Sequence, residues 1–179
     1  MSGGAALVVV DMQRVFAEPG SAWASPGYGA AAAGVERLLP AFAGRTVFTR
    51  FVAPQRPVGA WIPYYEAWPD QLRPADDGIW DLTIDPGGSP VVDATTFGKW
   101  GDALRAATGD ADRLVLAGVS TDCCVLSTAL GAADAGRHVQ VVADACAGAS
   151  EADHERALDA MRLYAPLIEV VEADDLLLR

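Results

Sequence analysis

Six short apolar runs, separated by segments of helical pattern, constrain this chain more than any other feature. They are Ala5–Val10, Thr46–Phe51, Pro90–Val92, Leu114–Ala117, Val139–Ala143 and Leu167–Val171. Each is rich in Val, Leu, Ile or Phe and shows little alternation with polar residues. A strand buried on both faces reads this way, because neither face meets water. Helical patterns lie between most of the runs. Ala30–Ala43 carries Val35, Leu38, Leu39 and Phe42 at helical spacing, stops at Gly44, and has Pro40 to shorten its last turn. Further helices are predicted at Trp100–Ala107, at Cys123–Ala135 before Gly136, and from Ser150 to about Tyr164. Ser150 and Asp153 form a cap-like pair at the start of the last one. Strands alternating with helices predict an α/β protein: a six-stranded parallel sheet with helices on both faces, three layers in all.

No second-domain boundary or internal repeat is visible in the 179 residues, so one domain is expected over 1–179. A formal charge of -11 argues against nucleic acid and anionic membrane as partners. The first residues have no basic start, and no apolar run is long enough for a signal core or membrane span. Three cysteines, two of them adjacent, make no disulfide framework, and the cytoplasm is the expected compartment.

One connection is irregular. About 38 residues (52–89) separate strands two and three, far above the usual loop length. They hold Trp61, Tyr64, Tyr65, Trp68 and Trp80, and "PYYEAW" is a candidate short helix with Pro63 in its first turn. These aromatics can wall a binding pocket, form a satellite core or face another subunit.

In open parallel sheets, sites form beyond the carboxyl ends of the strands, where the strand order reverses. With the order 3-2-1-4-5-6, strands one and four meet at that reversal. Asp11 follows strand one; Ser120, Thr121, Asp122, Cys123 and Cys124 follow strand four; Asp144 follows strand five. A thiol at a helix N-terminus is expected to have a lowered pKa and to act as a nucleophile, and nearby amides can hold an oxyanion. The chain has 12 arginines and a single lysine, Lys99, which is the candidate ammonium beside the thiol. His138 precedes strand five, at the wrong end of the sheet, and His154 lies in the last helix. A Cys–His dyad or a histidine-held metal is therefore not expected, and Asp11 is the better proton carrier.

These residues resemble the isochorismatase-like cysteine hydrolases, a family that includes nicotinamidases, N-carbamoylsarcosine amidases and biuret-type amidohydrolases. The similarity spans essentially the whole chain. Its most specific part is "GVSTDCCVLSTA", which looks like the family's Gly-Val-x-Thr-x-x-Cys-Val stretch and maps the nucleophile onto Cys124, with Cys123 at a variable position. "VVVDMQ" looks like the first-strand motif and maps its aspartate onto Asp11. "VVADACAG" resembles the stretch after strand five and makes Cys146 a structural residue. The resemblance implies a cis peptide before Ser120, which turns the Ser120 amide toward an oxyanion beside the Cys124 amide.

Two departures stand out. The family lysine usually follows strand three at once, where this chain has Ala94; Lys99 can serve only if the loop folds back. The stretch after strand two, "FTRFVAPQRPVGAW", lacks the aspartate and histidines with which nicotinamidases hold a metal, so no metal and no cofactor are expected. The resemblance then implies hydrolysis of an amide, imide or ureido C–N bond in a small molecule through a thioester. Asp11, Lys99 and Cys124 would be catalytic, Ser120 and Cys124 would form the oxyanion hole, and Trp61, Tyr64, Tyr65, Trp68 and Arg50 would contact substrate, with Arg56 a further candidate for a substrate carboxylate. Enol-ether hydrolysis by Asp11 without the thiol, or a binding protein with an inactive site, remain alternatives. A homo-oligomer, dimer or tetramer, is expected from the family.

Overall fold

The computed structural model describes residues 4–178. Its strands are β1 (Ala5–Val10), β2 (Thr46–Phe51), β3 (Val91–Ala94), β4 (Arg113–Val119), β5 (His138–Ala147) and β6 (Ile168–Val171). Its helices are α1 (Arg14–Ala17), α2 (Tyr28–Leu38), α3 (Trp61–Ala67), α4 (Asp102–Thr108), α5 (Leu126–Asp134), α6 (Glu151–Arg162) and α7 (Ala173–Leu177). The strands form one parallel sheet in the order β3-β2-β1-β4-β5-β6, as the apolar runs predict.

Alternation within the buried strands separates two cores. Leu7, Val9, Phe48, Val115 and Ala117 face one side, where Val35 and Leu38 of α2 and Ala173 of α7 cover them. Val8, Val10, Val47, Leu114 and Leu116 face the other, under Leu104 of α4, Ala129 of α5 and Leu158 and Met161 of α6. Every one of these side chains is at least nine-tenths buried, and each large one contributes roughly 1.5–3 kcal/mol by leaving water. Among the described residues, no helix is long and apolar enough to cross a membrane.

Helix ends follow local chemistry. Pro40 converts the end of α2 into a 3-10 turn, Leu39–Phe42. The Ser150 hydroxyl accepts the Asp153 amide and opens α6. Two short helices, α1 and α7, lie outside the sequence expectations; they are four and five residues long, too short for a periodic signal. The helix expected from Cys123 instead starts as a π-turn at Thr121–Val125 and becomes α-helical at Leu126.

Strand β5 outruns its expected length because of a bulge. Its partners on β4 step from Leu116↔Val141 to Gly118↔Cys146. Asp144, expected beyond the strand, therefore lies within it. Its carboxylate accepts the Ala173 amide at 2.8 Å and anchors α7, away from the β1/β4 reversal.

Candidate active site

The site begins where β1 and β4 end side by side, with Val10 opposite Gly118. A Cβ on Gly118 would lie 2.1 Å from the Val10 carbonyl oxygen, so only glycine lets the strands close here. Beyond this point the Val119–Ser120 peptide is cis, as the resemblance implies.

Asp11 leaves β1 with φ 48, a left-handed conformation that aspartate tolerates better than most residues. Thr49 on β2 holds it from two directions. The Thr49 hydroxyl donates to Asp11 Oδ1 at 2.6 Å and accepts the Asp11 amide at 3.2 Å. Gln13 fixes the exit of β1: its side-chain amide donates to the Phe51 and Trp80 carbonyls and accepts from the Phe51 amide. Thr49 thus holds Asp11 while Gln13, the last residue of "VVVDMQ", fixes the chain that follows it, and neither was singled out in the sequence.

Lys99 reaches the site by the folded-back route. Its amide donates to Thr128 Oγ1 at 3.0 Å, while Thr128 donates to the Cys124 carbonyl at 2.7 Å. One threonine therefore joins the lysine loop to the cysteine helix. The Lys99 ammonium lies 2.9 Å from Asp11 Oδ2, with both side chains fully buried. It also donates to the Thr96 carbonyl at 2.7 Å and sits 4.9 Å from the Phe51 ring centre. Ala94 only closes β3.

Cys124 completes the group. Its thiol lies within the influence of the Asp11 and Lys99 charges and of the Ser120 backbone. The Ser120 carbonyl accepts the amides of Cys123 and Val125, at 3.2 and 3.0 Å, and not that of Cys124. The expected acidic thiol is not found. Burial pushes the Cys124 pKa well above the ordinary thiol value, and the Asp11 charge adds to this; Lys99 and the Ser120 amide offset only part. The residue is 2% exposed, and a helix terminus cannot compensate for that loss of water.

Above Cys124 opens a cavity of about 360 Å³. Phe16, Trp23, Phe51, Tyr64, Trp68 and Phe97 form most of its wall, and Ser25, Ser120, Asp122 and Cys123 its polar part. Tyr64 and Trp68 stand where expected. Four other candidates do not. Tyr65 is buried in the core behind the wall, and Trp61 packs against Tyr64 and Phe97 from outside, with ring centres 5.2 and 5.1 Å away. Arg50 forms a paired contact with Asp93 at 2.8 and 2.7 Å, along the pleat joining β2 to β3. Arg56 lines a separate surface depression with Ile62 and Leu72. Trp80 is core, its indole donating to the Pro74 carbonyl. Trp23, Phe16 and Phe97 were missed, because each sits on a connection whose fold-back has no periodic signature. Cys146 is buried beside β4, its pKa pushed by burial to about 12. His154 is also buried, bonded to the Thr121 hydroxyl.

The family model of the isochorismatase domain matches residues 5–175. The chain belongs to the isochorismatase family. A 53-residue stretch is 47% identical to isochorismatase domain-containing protein 2 of Xenopus laevis, covering 30% of this chain but only 26% of that protein. Isochorismatase-type folds of known structure superpose over almost the whole chain. A cysteine hydrolase from Pseudomonas syringae pv. phaseolicola 1448A gives a TM-score of 0.83 at 21% identity, over 96% of this chain and 90% of that one. An isochorismatase-like hydrolase from Alkaliphilus metalliredigens gives 0.78 at 19%, over 98% and 97%. The pyrazinamidase of Pyrococcus horikoshii, in complex with zinc, gives 0.75 at 24%, over 94% and 98%. At these identities the likeness is one of fold. A zinc of that kind does not fit the residues present: the segment leaving β2, Val52–Gly59, contains no aspartate or histidine, and among the described residues no three His, Cys, Asp or Glu side chains converge.

Proposed function

We propose that this isochorismatase-family protein hydrolyses a C–N bond of amide, imide or ureido type in a small molecule, with Cys124 as nucleophile, Asp11 as proton carrier and Lys99 as a fixed positive charge. The observation that carries the reading is the fully buried Asp11–Lys99 pair, both charges of which act on the buried Cys124 thiol.

A buried ion pair beside a thiol has a specific use. Moving the thiol proton to Asp11 turns thiol plus carboxylate into thiolate plus acid. The triad of Cys124, Asp11 and Lys99 stays net neutral, so the transfer shifts a charge past the ammonium without creating one in low dielectric. The raised thiol pKa means that this shift accompanies attack and does not precede it. Sulfur then bonds to the carbonyl carbon while the carbonyl π electrons move to oxygen. The Ser120 and Cys124 amides hold that oxyanion, each donor lowering the barrier by ~2.7–4 kcal/mol. As the C–N bond breaks, Asp11 returns its proton to the leaving nitrogen. Water attacks the thioester, giving a proton to Asp11, and the departing sulfur recovers it.

Release of ammonia or amine from a panel of small amides, ureas and imides tests the reading, with Cys124→Ala as the control. Turnover in the native protein, lost by at least about 10³-fold in the variant, supports it. A second reading is hydrolysis of an enol ether, with Asp11 as acid and no role for sulfur. Activity retained in Cys124→Ala would favour that chemistry.

A further inference from the structure

The cavity over Cys124 has one ionised side chain in its wall, and it is negative. Asp122 lies at the π-turn, half-buried. Its Oδ1 is occupied by the Ser120 hydroxyl and by the Ala149 amide, the latter at 2.9 Å. Gly148 permits this approach, since a Cβ there would lie 3.0 Å from Oδ1. Among the described residues its Oδ2 meets only the Cys123 thiol, at 3.6 Å, which leaves acceptor capacity on this cavity-lining carboxylate. The negative field is felt nearby: burial, and then the Asp122 charge, raise the Cys123 pKa to about 11. Among the described residues, no cation lines this wall. Arg50 is held by Asp93, and Lys99 is committed to Asp11 and Thr96 beneath the floor. The remaining walls are aromatic faces, which attract cations and repel anions through the ring quadrupole. The Trp23 indole N–H, on a residue of the same wall, is buried without an acceptor among the described residues and adds no charge.

We infer that this cavity selects a planar ring carrying a neutral or cationic substituent and excludes a carboxylate, with Asp122 as the residue that sets the charge preference. The inference rests on the reading that the substrate's acyl group occupies the cavity above Cys124. It assigns to Asp122 a specificity role separate from the chemistry of Asp11, Lys99 and Cys124. It also reverses the expectation that an arginine meets a substrate carboxylate.

Benzoate, benzamide and benzamidinium test it, because the three have nearly the same shape and carry charges of -1, 0 and +1. Binding is measured by tryptophan fluorescence and by calorimetry on the Cys124→Ala protein, which cannot acylate. The result is therefore independent of whether the native protein is a hydrolase. The expected order is benzamidinium, benzamide, benzoate, with at least about a tenfold gap between the cation and the anion. Rising salt is expected to narrow the gap. Adding Asp122→Asn is expected to bring cation and anion within about threefold, while benzamide binding stays within about twofold. Benzoate binding as tightly as benzamidinium, or none of the three binding at millimolar concentration, overturns the inference without any variant at Asp122. An unchanged cation-to-anion ratio in a folded Asp122→Asn protein removes Asp122 from it.

Discussion

The floor of the cavity and its wall are built in opposite ways. The floor is Asp11, Thr49, Lys99, Cys124 and Thr128, each nearly or fully buried and each tied to another by a hydrogen bond or ion pair. Its members come from the ends of β1 and β2, the loop after β3 and the start of the cysteine helix. The wall is Trp23, Tyr64, Phe97 and their neighbours, joined by ring contacts at 5.4–6.2 Å and drawn from three separate connections. Ring packing is adaptable and close to additive, whereas a buried charge network fails as a unit. The floor should therefore tolerate almost no substitution, and the wall should accept many at a cost in binding alone.

Breaking the floor at its cation is expected to give the largest effect. Lys99→Met leaves the Asp11 carboxylate buried without its counter-charge, which costs about 3–5 kcal/mol in urea unfolding and abolishes turnover. Lys99→Arg is not expected to rescue it, since a planar guanidinium does not fit the site of a compact ammonium between Asp11, Thr96 and the Phe51 ring. Thr49→Val is a milder probe of the same floor. It removes the donor to Asp11 Oδ1 and is expected to cost about 1–3 kcal/mol of stability and roughly tenfold in kcat, with KM little changed. On the wall the pattern should invert. Trp68 is 39% exposed, so Trp68→Ala is expected to shift stability by less than about 1 kcal/mol and to raise KM several-fold, with kcat within about twofold.

The smallest effect sharpens the comparison through pH. Cys146 is pushed up to about 12 and Cys123 to about 11, from an ordinary value near 9. The unfolded chain loses these protons first, so the native state binds more protons above pH 9. Stability is accordingly whole below that pH and falls as pH rises through it. Tm measured between about pH 8 and 10 should decline, and Cys146→Ala should flatten the decline. Cys146 belongs to neither floor nor wall, so turnover at neutral pH should hardly change.

The same contrast decides what the sequence reveals. Of the floor residues, Asp11 and Cys124 follow apolar runs and Lys99 is singular in the whole chain, and parallel strands place their carboxyl ends together whatever the loops do; Thr49 and Thr128 carry no such sign. Asp11, Cys124 and the sheet order were legible for that reason. Lys99 was legible only by its rarity; the Thr96 and Thr128 contacts that fold its loop back have no pattern of their own. The wall was half legible. An insertion rich in aromatics was plain, but which rings face inward depends on tertiary packing: Tyr64 and Trp68 line the cavity, Tyr65 and Trp61 do not, and Trp23 and Phe97 line it from outside that insertion. The thiol's ionisation was misjudged for a related reason. Sequence position shows a helix terminus, whereas the depth of burial is a property of the finished fold.

The central claim is that Asp11 takes the proton of Cys124. Its most direct test is the rate at which iodoacetamide alkylates Cys124 near neutral pH, read peptide by peptide by mass spectrometry, in native protein and in Asp11→Asn. If Asp11 is the base, the native protein reacts at Cys124 in preference to Cys123 and Cys146, and the variant slows by roughly 100-fold or more. If Asp11 acts only as a negative charge that raises the thiol pKa, removing it eases ionisation, and a variant that reacts as fast as the native protein or faster would contradict the account.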